Sequence, residues 1–220
     1  NTPVTIADKN SELRMRKLIK EKFPDHGVLA EEFEDFNTES EFLWVLDPID
    51  GTRSFIAGHK DFGTLISLLY NKKPVLGIID CPAHKERWVG VQNKPTIYNN
   101  KIVKTTSKNS IKDCYAFTSG LYFDDHKFKT LFDKLIKQLR YYRMGGDCYM
   151  YGMLASGLID IVVEDTLKVH DYMALIPVIE GAGGVTSDRF GNKISLLSEG
   201  SFVASCSQSV HNELIKILNK

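Results

Sequence analysis

The sequence predicts an α/β protein in two adjoining parts, a sheet-rich half over residues 1–103 and an alternating α/β half over residues 104–220. Three observations carry that expectation. Short apolar stretches separated by turn residues crowd the first half, and strand-type and helix-type patterns alternate after Lys104. Between them in importance, one apolar strand, Trp44-Val-Leu-Asp47, runs into the segment Pro48-Ile-Asp50-Gly-Thr52.

Ser11–Lys22 reads as an amphipathic helix with Leu13, Leu18 and Ile19 toward the core, stopped at Phe23-Pro24 because the residue before a proline avoids helical backbone. A loop leads to Leu29-Ala-Glu31-Glu32. Leu43, Val45 and Leu46 suit a buried strand that Pro48 should break, and Gly51-Thr52 opens a helix. Phe62–Tyr70 is an apolar strand, Lys72-Lys73-Pro74 a turn, Val75–Asp80 its partner and Arg87–Val91 a third strand. The second half reads as strand Tyr115–Thr118, helix Phe128–Gln138, a helix around Tyr149–Ala155, strand Ile159–Glu164, a helix from Asp171, strand Phe202–Ala204 and a closing helix Val210–Leu218. Pro177 lies inside the apolar Tyr172–Ile179 segment and predicts a kink there; Gly181, Gly183 and Gly184 end that helix and turn the chain.

Composition bounds the function classes. With 220 residues and 43% hydrophobic content the chain can bury a substantial core. Its 28 basic and 28 acidic residues cancel, so it lacks the electrostatic footprint that nucleic acid or an anionic membrane would select. No apolar run reaches the ~20 residues that span a bilayer. Cys81, Cys114, Cys148 and Cys206 are dispersed along the sequence without a C-x-x-C pair and read as reduced thiols, which suits the cytoplasm.

The chemistry concentrates at Asp47 and Asp50. Two carboxylates at one strand-to-helix turn offer hard oxygen ligands to Mg²⁺, which prefers carboxylates, water and substrate phosphate, whereas Zn²⁺ would call for clustered His or Cys. The N–H groups after Asp50 would lie at a helix N-terminus, where phosphate is favoured. A plain Asx-rich turn after a core strand is the bland alternative. Glu31-Glu32 and Asp171, each at an element boundary, tip the balance toward a centre holding more than one ion, because carboxylates gathered without cations are costly.

At this level the residues carry a family resemblance. Pro3-Val-Thr-Ile-Ala-Asp8, Ala30-Glu-Glu32, Trp44-Val-Leu-Asp-Pro-Ile-Asp-Gly-Thr52, His170-Asp171 and Glu180-Gly-Ala-Gly-Gly184 together resemble the inositol monophosphatase family of Mg²⁺-dependent, Li⁺-sensitive phosphatases, over nearly the whole chain. Gly51–Gly58, Phe62–Ser67 and Gly145-Gly-Asp-Cys-Tyr149 look most like its bacterial-type histidinol-phosphate phosphatases. The resemblance implies a layered αβαβα sandwich and a homodimer. Members carry a helical region ahead of the Val-Thr-x-x-Asp segment, so the chain reads as starting within the family pattern.

Phosphate monoesters are dianionic and repel hydroxide, so their hydrolysis needs concentrated positive charge, which adjacent Mg²⁺ ions supply. The resemblance implies two or three such ions, the first on Glu31, Asp47 and the carbonyl of Ile49, the second on Asp47, Asp50 and Asp171. It places Thr52 beside the nucleophilic water with Asp8 or Glu31 as proton acceptor, and the N–H groups of Gly51 and Thr52 on phosphate oxygens, with direct in-line attack. Asp50, Gly51 and Thr52 would therefore also contact substrate. A D-x-D-G-T phosphatase with an aspartyl nucleophile spaces its carboxylates two apart; here they are three apart, which argues against a phospho-aspartate.

Substrate choice is expected in the second half. Taken alone, Asp147 reads as a helix N-cap and Glu164 as a strand end meeting solvent. By resemblance both face the organic part of a small phosphorylated substrate, and two carboxylates suit the amine and imidazole of L-histidinol phosphate better than a neutral polyol. Inositol 1-phosphate and broader sugar or nucleotide phosphates are the alternative substrates, with pocket width set by loops such as residues 121–126, and a non-catalytic scaffold is the alternative class. His170 replaces an aromatic ring common at that position, while His26, His59, His84, His126 and His211 lack metal spacing and read as surface or loop residues.

Overall fold

The computed structural model describes residues 4–120 and 123–220, so Pro3 of the first motif and part of loop 121–126 lie outside the described residues. Helix α1 spans Ile6–Lys22 and starts earlier than its apolar pattern suggests. Thr5 and Asp8 form a capping box, in which the Thr5 hydroxyl accepts the Asp8 N–H and the Asp8 carboxylate accepts the Thr5 N–H. Its buried stripe is Asp8, Glu12 and Ile19. Leu13 and Leu18 face outward, at 51% and 41% exposure, against the expectation that they point to the core. The core side of the helix is instead taken by Glu12, whose buried side chain accepts the N–H groups of Glu32 and Phe33 at 2.8 and 3.2 Å and the Arg16 Nε–H at 2.7 Å.

The first sheet has seven strands in chain order: β1 (Gly27–Ala30), β2 (Phe42–Asp50), β3 (Gly63–Tyr70), β4 (Lys73–Cys81), β5 (Glu86–Val91), β6 (Ile97–Tyr98) and β7 (Lys101–Ile102). Only β1 and β2 run parallel; the remaining pairs form an antiparallel meander. Pro48 does not end β2 as expected. The register slips between Asp47 and Asp50, a bulge where proline costs no ladder bond, and the Pro48 carbonyl accepts the Thr64 hydroxyl. The short helix α2 (Thr52–Ala57) follows, its N-cap Gly51 at φ +79°, in the left-handed region that a side chain resists.

The second sheet is ordered β11-β12-β10-β8-β9, from β8 (Tyr115–Thr118), β9 (Tyr141–Met144), β10 (Ile161–Glu164), β11 (Val185–Ser187) and β12 (Phe202–Ser205). Helices α3 (His126–Ile136) and α7 (Gln208–Leu218) cover its outer face through Phe128, Phe132, Leu135, Val210 and Leu214. Between the sheets lie α4 (Tyr149–Ala155), α5 (Val169–Tyr172) and α6 (Leu175–Gly181), with α6 buried along nearly its whole length. With α1 packed on the outer side of β2 through Ile19, Val28 and Leu46, the layers run α, β, α, β, α, the predicted sandwich.

The break expected at Pro177 occurs earlier, at Met173-Ala174 between α5 and α6. Pro177 sits in the first turn of α6, where a missing N–H has no intrahelical partner to lose. The strands β1, β6, β7, β9 and β11 escape the sequence reading because they are too short, or too polar, to show a period. Not every histidine is superficial: His211 is 4% exposed, its ring nitrogens on Ser187 and Ser205, and burial lowers its pKa to about 4. The four cysteines are free and buried.

Candidate metal centre and substrate pocket

Five carboxylates from four distant segments meet at the C-terminal end of β2. Asp47 is delivered by the strand and Asp50 by the bulge, which turns it so that Oδ2 accepts the Cys148 N–H at 2.5 Å. Asp171 lies in the first turn of α5 and accepts the Lys168 N–H at 2.6 Å. Glu31 follows β1, whose pairing with β2 places it alongside Asp47. Asp8 comes from α1, its Oδ1 facing the Thr52 hydroxyl at 3.4 Å; that hydroxyl also donates to the Ile49 carbonyl at 3.0 Å.

Two groups of donor atoms result, each within 4.8 Å: Glu31, Asp47 and His170, and Asp47, Asp50 and Asp171. Asp47 belongs to both. It is 2% exposed and its Oδ1 has no hydrogen-bond partner. Burial, then repulsion from Asp50, Asp171 and Glu31, pushes the Asp47 carboxyl well above the usual carboxylate range; burial and Asp171 do the same to Asp50. Asp171 and Glu31 are raised too, chiefly by burial. A hard divalent cation would remove this cost, and the all-oxygen set Asp47, Asp50 and Asp171 fits Mg²⁺.

Beside these ligands opens a pocket lined by Asp50, Asp171, Asp147, Glu164, Ser119 and Tyr151. Asp147 is not the N-cap its position suggests: it adopts φ +40°, accepts the Ser54 hydroxyl at 2.5 Å, and α4 begins after Cys148 without a side-chain cap. The Gly51 Cα presses on its carboxyl, since a Cβ there would come within 2.8 Å of Asp147 Cγ. Glu164 does not meet solvent. It is 4% exposed, accepts the Thr118 hydroxyl and the Ser119 N–H and hydroxyl, and burial raises its pKa to about 7 despite those bonds.

The sequence reading missed Tyr151. Its ring packs edge-on against Phe202, its hydroxyl is buried without a partner, and burial with nearby Glu164 keeps it a neutral phenol. Only its position one turn after Asp147 hinted at the pocket. Glu12, which holds the Glu31-Glu32 loop, was missed because a buried glutamate with backbone partners leaves no trace in composition.

The family model described as the inositol monophosphatase family matches residues 1–220. The chain belongs to that family. Its members are phosphate-monoester phosphatases, and the family is Mg²⁺-dependent. Among curated relatives, the chain is 40% identical over 205 residues to the bifunctional phosphatase IMPL2, chloroplastic, of Arabidopsis thaliana, covering 92% of the chain and 59% of that protein. It is 35% identical to the histidinol-phosphatase of Chlorobaculum parvum over 202 residues, 91% of the chain and 78% of the relative. The structure of an inositol monophosphatase from Zymomonas mobilis superposes with TM-score 0.91 at 36% identity, covering 100% of the chain and 90% of that one. Among the described residues, no helix of this family member is long and apolar enough to cross a membrane.

Proposed function

We propose that this chain hydrolyses a small phosphate monoester bearing a cationic organic group, L-histidinol phosphate in first place. The observation that carries this reading is the pairing of a metal-type carboxylate cluster with two further carboxylates, Asp147 and Glu164, across one pocket. Histidinol-phosphatase names among the relatives support it. When bound, Mg²⁺ on Asp47, Asp50, Asp171 and Glu31, with the Ile49 carbonyl as a further ligand, would neutralise the phosphate dianion and lower the pKa of water. Two or three such ions would share the centre.

The residues do the rest. The Thr52 hydroxyl lies between Asp8 and the Ile49 carbonyl, so it can orient a water while Asp8 takes up its proton; Asp8 is held for that task by the capping box on Thr5. Glu31 is the second candidate proton acceptor. Gly51 and Thr52 present N–H groups without a side-chain cap to phosphate oxygens. A homodimer in a reducing, cytoplasmic setting completes the reading, in keeping with four free thiols.

Phosphate release from L-histidinol phosphate and myo-inositol 1-phosphate at equal sub-saturating concentration with Mg²⁺ tests it. We expect a preference for histidinol phosphate above about a hundredfold, roughly 2.7 kcal/mol in the transition state. Equal rates, or a preference for the inositol ester, would overturn the substrate assignment and leave the phosphatase reading.

Two predictions refine the pocket. Glu164 titrates at about 7, and only its ionised form attracts an ammonium group, so KM for histidinol phosphate should rise as pH falls through about 7. That limb should vanish in Glu164→Gln while the substrate's own titration persists; an unchanged profile would place Glu164 outside recognition. Tyr151→Phe deletes one unpaired hydroxyl and keeps the ring on Phe202. It should raise KM about tenfold with kcat nearly constant, and leave thermal stability equal or higher, because a buried unsatisfied hydroxyl is lost. A fall in stability with unchanged KM would mark Tyr151 as purely structural.

A further inference from the structure

Strand β1 stops pairing with β2 at Ala30, so Glu31 begins a stretch without regular structure whose backbone has to be held by other means. Two side chains of α1 do this. The Glu12 carboxylate accepts the Glu32 N–H at 2.8 Å through Oε2 and the Phe33 N–H at 3.2 Å through Oε1. Arg16, one turn further on, donates its Nε–H to the same Oε1 at 2.7 Å and an Nη2–H to the Phe33 carbonyl at 3.0 Å. Glu12 is 0% exposed, so its carboxylate is sustained by that cation and by two amide dipoles rather than by water. Asp8 lies one turn before Glu12, is equally buried, and meets the Thr52 hydroxyl from the same helix face. One face of α1 therefore touches both the strand-to-helix turn and the loop that carries Glu31.

We propose that Glu12 is a positioning residue of the phosphatase: with Arg16 it sets where Glu31 stands relative to Asp47 and Asp8, and so how tightly the centre holds its Mg²⁺. The proposal rests on the metal-centre reading above and deepens it. Glu12 acts through Glu31 and not as a ligand, since both its oxygens are taken by the loop and by Arg16. An apolar contact would anchor the loop as firmly but without direction. A carboxylate adds acceptors for two successive N–H groups, which fixes the orientation of the peptides that follow Glu31 and with them the aim of its side chain. A glutamine would turn an NH₂ group toward one of these donors and would leave Arg16 without its counter-charge. On the far side of Glu31, Lys168 Nζ stands 3.8 Å away on a side chain 56% exposed, a pairing too loose to fix the carboxylate by itself.

The test compares the wild-type chain with Glu12→Gln. Amide exchange of the metal-free proteins reads the clamp: the Glu32 and Phe33 amides should exchange about tenfold faster or more in the variant, while those of β10 and α6 stay as they are. Mg²⁺ titration of the folded protein reads the consequence, an apparent affinity about tenfold weaker. At saturating Mg²⁺ kcat should return, with KM for the phosphate ester nearly constant throughout. In a Glu31→Gln background the same substitution should add little further loss of Mg²⁺ affinity, because its effect passes through Glu31. Losses that add in full, or a lower Tm with wild-type Mg²⁺ dependence, would reduce Glu12 to a structural buried pair and overturn the proposal. If Glu12→Gln does not fold, Arg16→Lys keeps a cation beside Glu12 and gives up the bond to the Phe33 carbonyl. It should show the same faster exchange and weaker Mg²⁺ binding in smaller measure, and wild-type values there would overturn the proposal equally. A wild type that binds no Mg²⁺ would remove the metal-centre reading and this proposal with it, whereas the other adverse results strike the proposal alone.

Discussion

Asp50→Asn should lower phosphate release roughly 10³-fold or more, about 4 kcal/mol of transition-state stabilisation, while making the metal-free protein more stable by about 1–3 kcal/mol. The opposite signs have one cause. Asp50 is held well above the usual carboxylate range by burial and by Asp171, so in the metal-free fold at neutral pH it costs either a buried charge or the uptake of a proton that the unfolded chain does not need. Because the folded pKa lies above the unfolded one, this contribution to stability is fully present below about pH 4 and is lost as pH rises through the raised value. Metal-free wild type should accordingly lose stability over that rise, and the increment in Tm produced by Mg²⁺ should be larger at pH 8 than at pH 5. Thermal unfolding with chelator and with Mg²⁺, alongside the phosphate assay, checks all three. A metal-free Asp50→Asn protein less stable than wild type would mean that the carboxylate is held by contacts other than a cation.

Gly77→Ala should cost about 3 kcal/mol or more and drop Tm by roughly 6–12 °C. Gly77 and Gly90 face each other across β4 and β5, and their bare Cα atoms form the notch into which the backbone of the chain entering α6 settles. A Cβ at Gly77 would lie 2.0 Å from the Ala174 carbonyl oxygen, and one at Gly90 only 2.3 Å from the Pro177 carbonyl. The obstacle is main chain, which cannot swing aside as a side-chain tip would. Relief requires α6 to lift from the sheet, and Asp171 lies three residues before Ala174. Mg²⁺ affinity should therefore fall together with stability, as calorimetry on the folded fraction would show. A Gly77→Ala protein of wild-type Tm would refute the close approach.

What was legible in the sequence is the part of the site that is local in the chain. Asp47, Asp50 and Thr52 sit within one strand-to-helix turn, so covalent spacing alone puts their side chains near one another, and Gly51 supplies the left-handed link. Long apolar runs fixed the type of β3, β4, α3 and α7, because burial of one face leaves a period in the sequence. The expectation that Pro48 would end its strand failed where a bulge absorbed the proline, and the core face of α1 was misjudged because its buried residues are carboxylates.

The tertiary structure decided what depends on atoms meeting across distance. Asp8 reaches Thr52 over 44 residues, and the Glu164 oxygens reach Ser119 over 45. No periodicity records such meetings, since each partner is an ordinary polar residue in its own segment. The same holds for the unpaired Tyr151 hydroxyl and His170 nitrogen: a lone polar atom at the end of a buried side chain is visible only once its surroundings exist. The chain's own order thus specifies a pair of aspartates, a phosphate-type turn and the layers that carry them. Packing makes a centre of them, because only the folded sandwich forces like charges together with little solvent to screen them and leaves a cation as their relief.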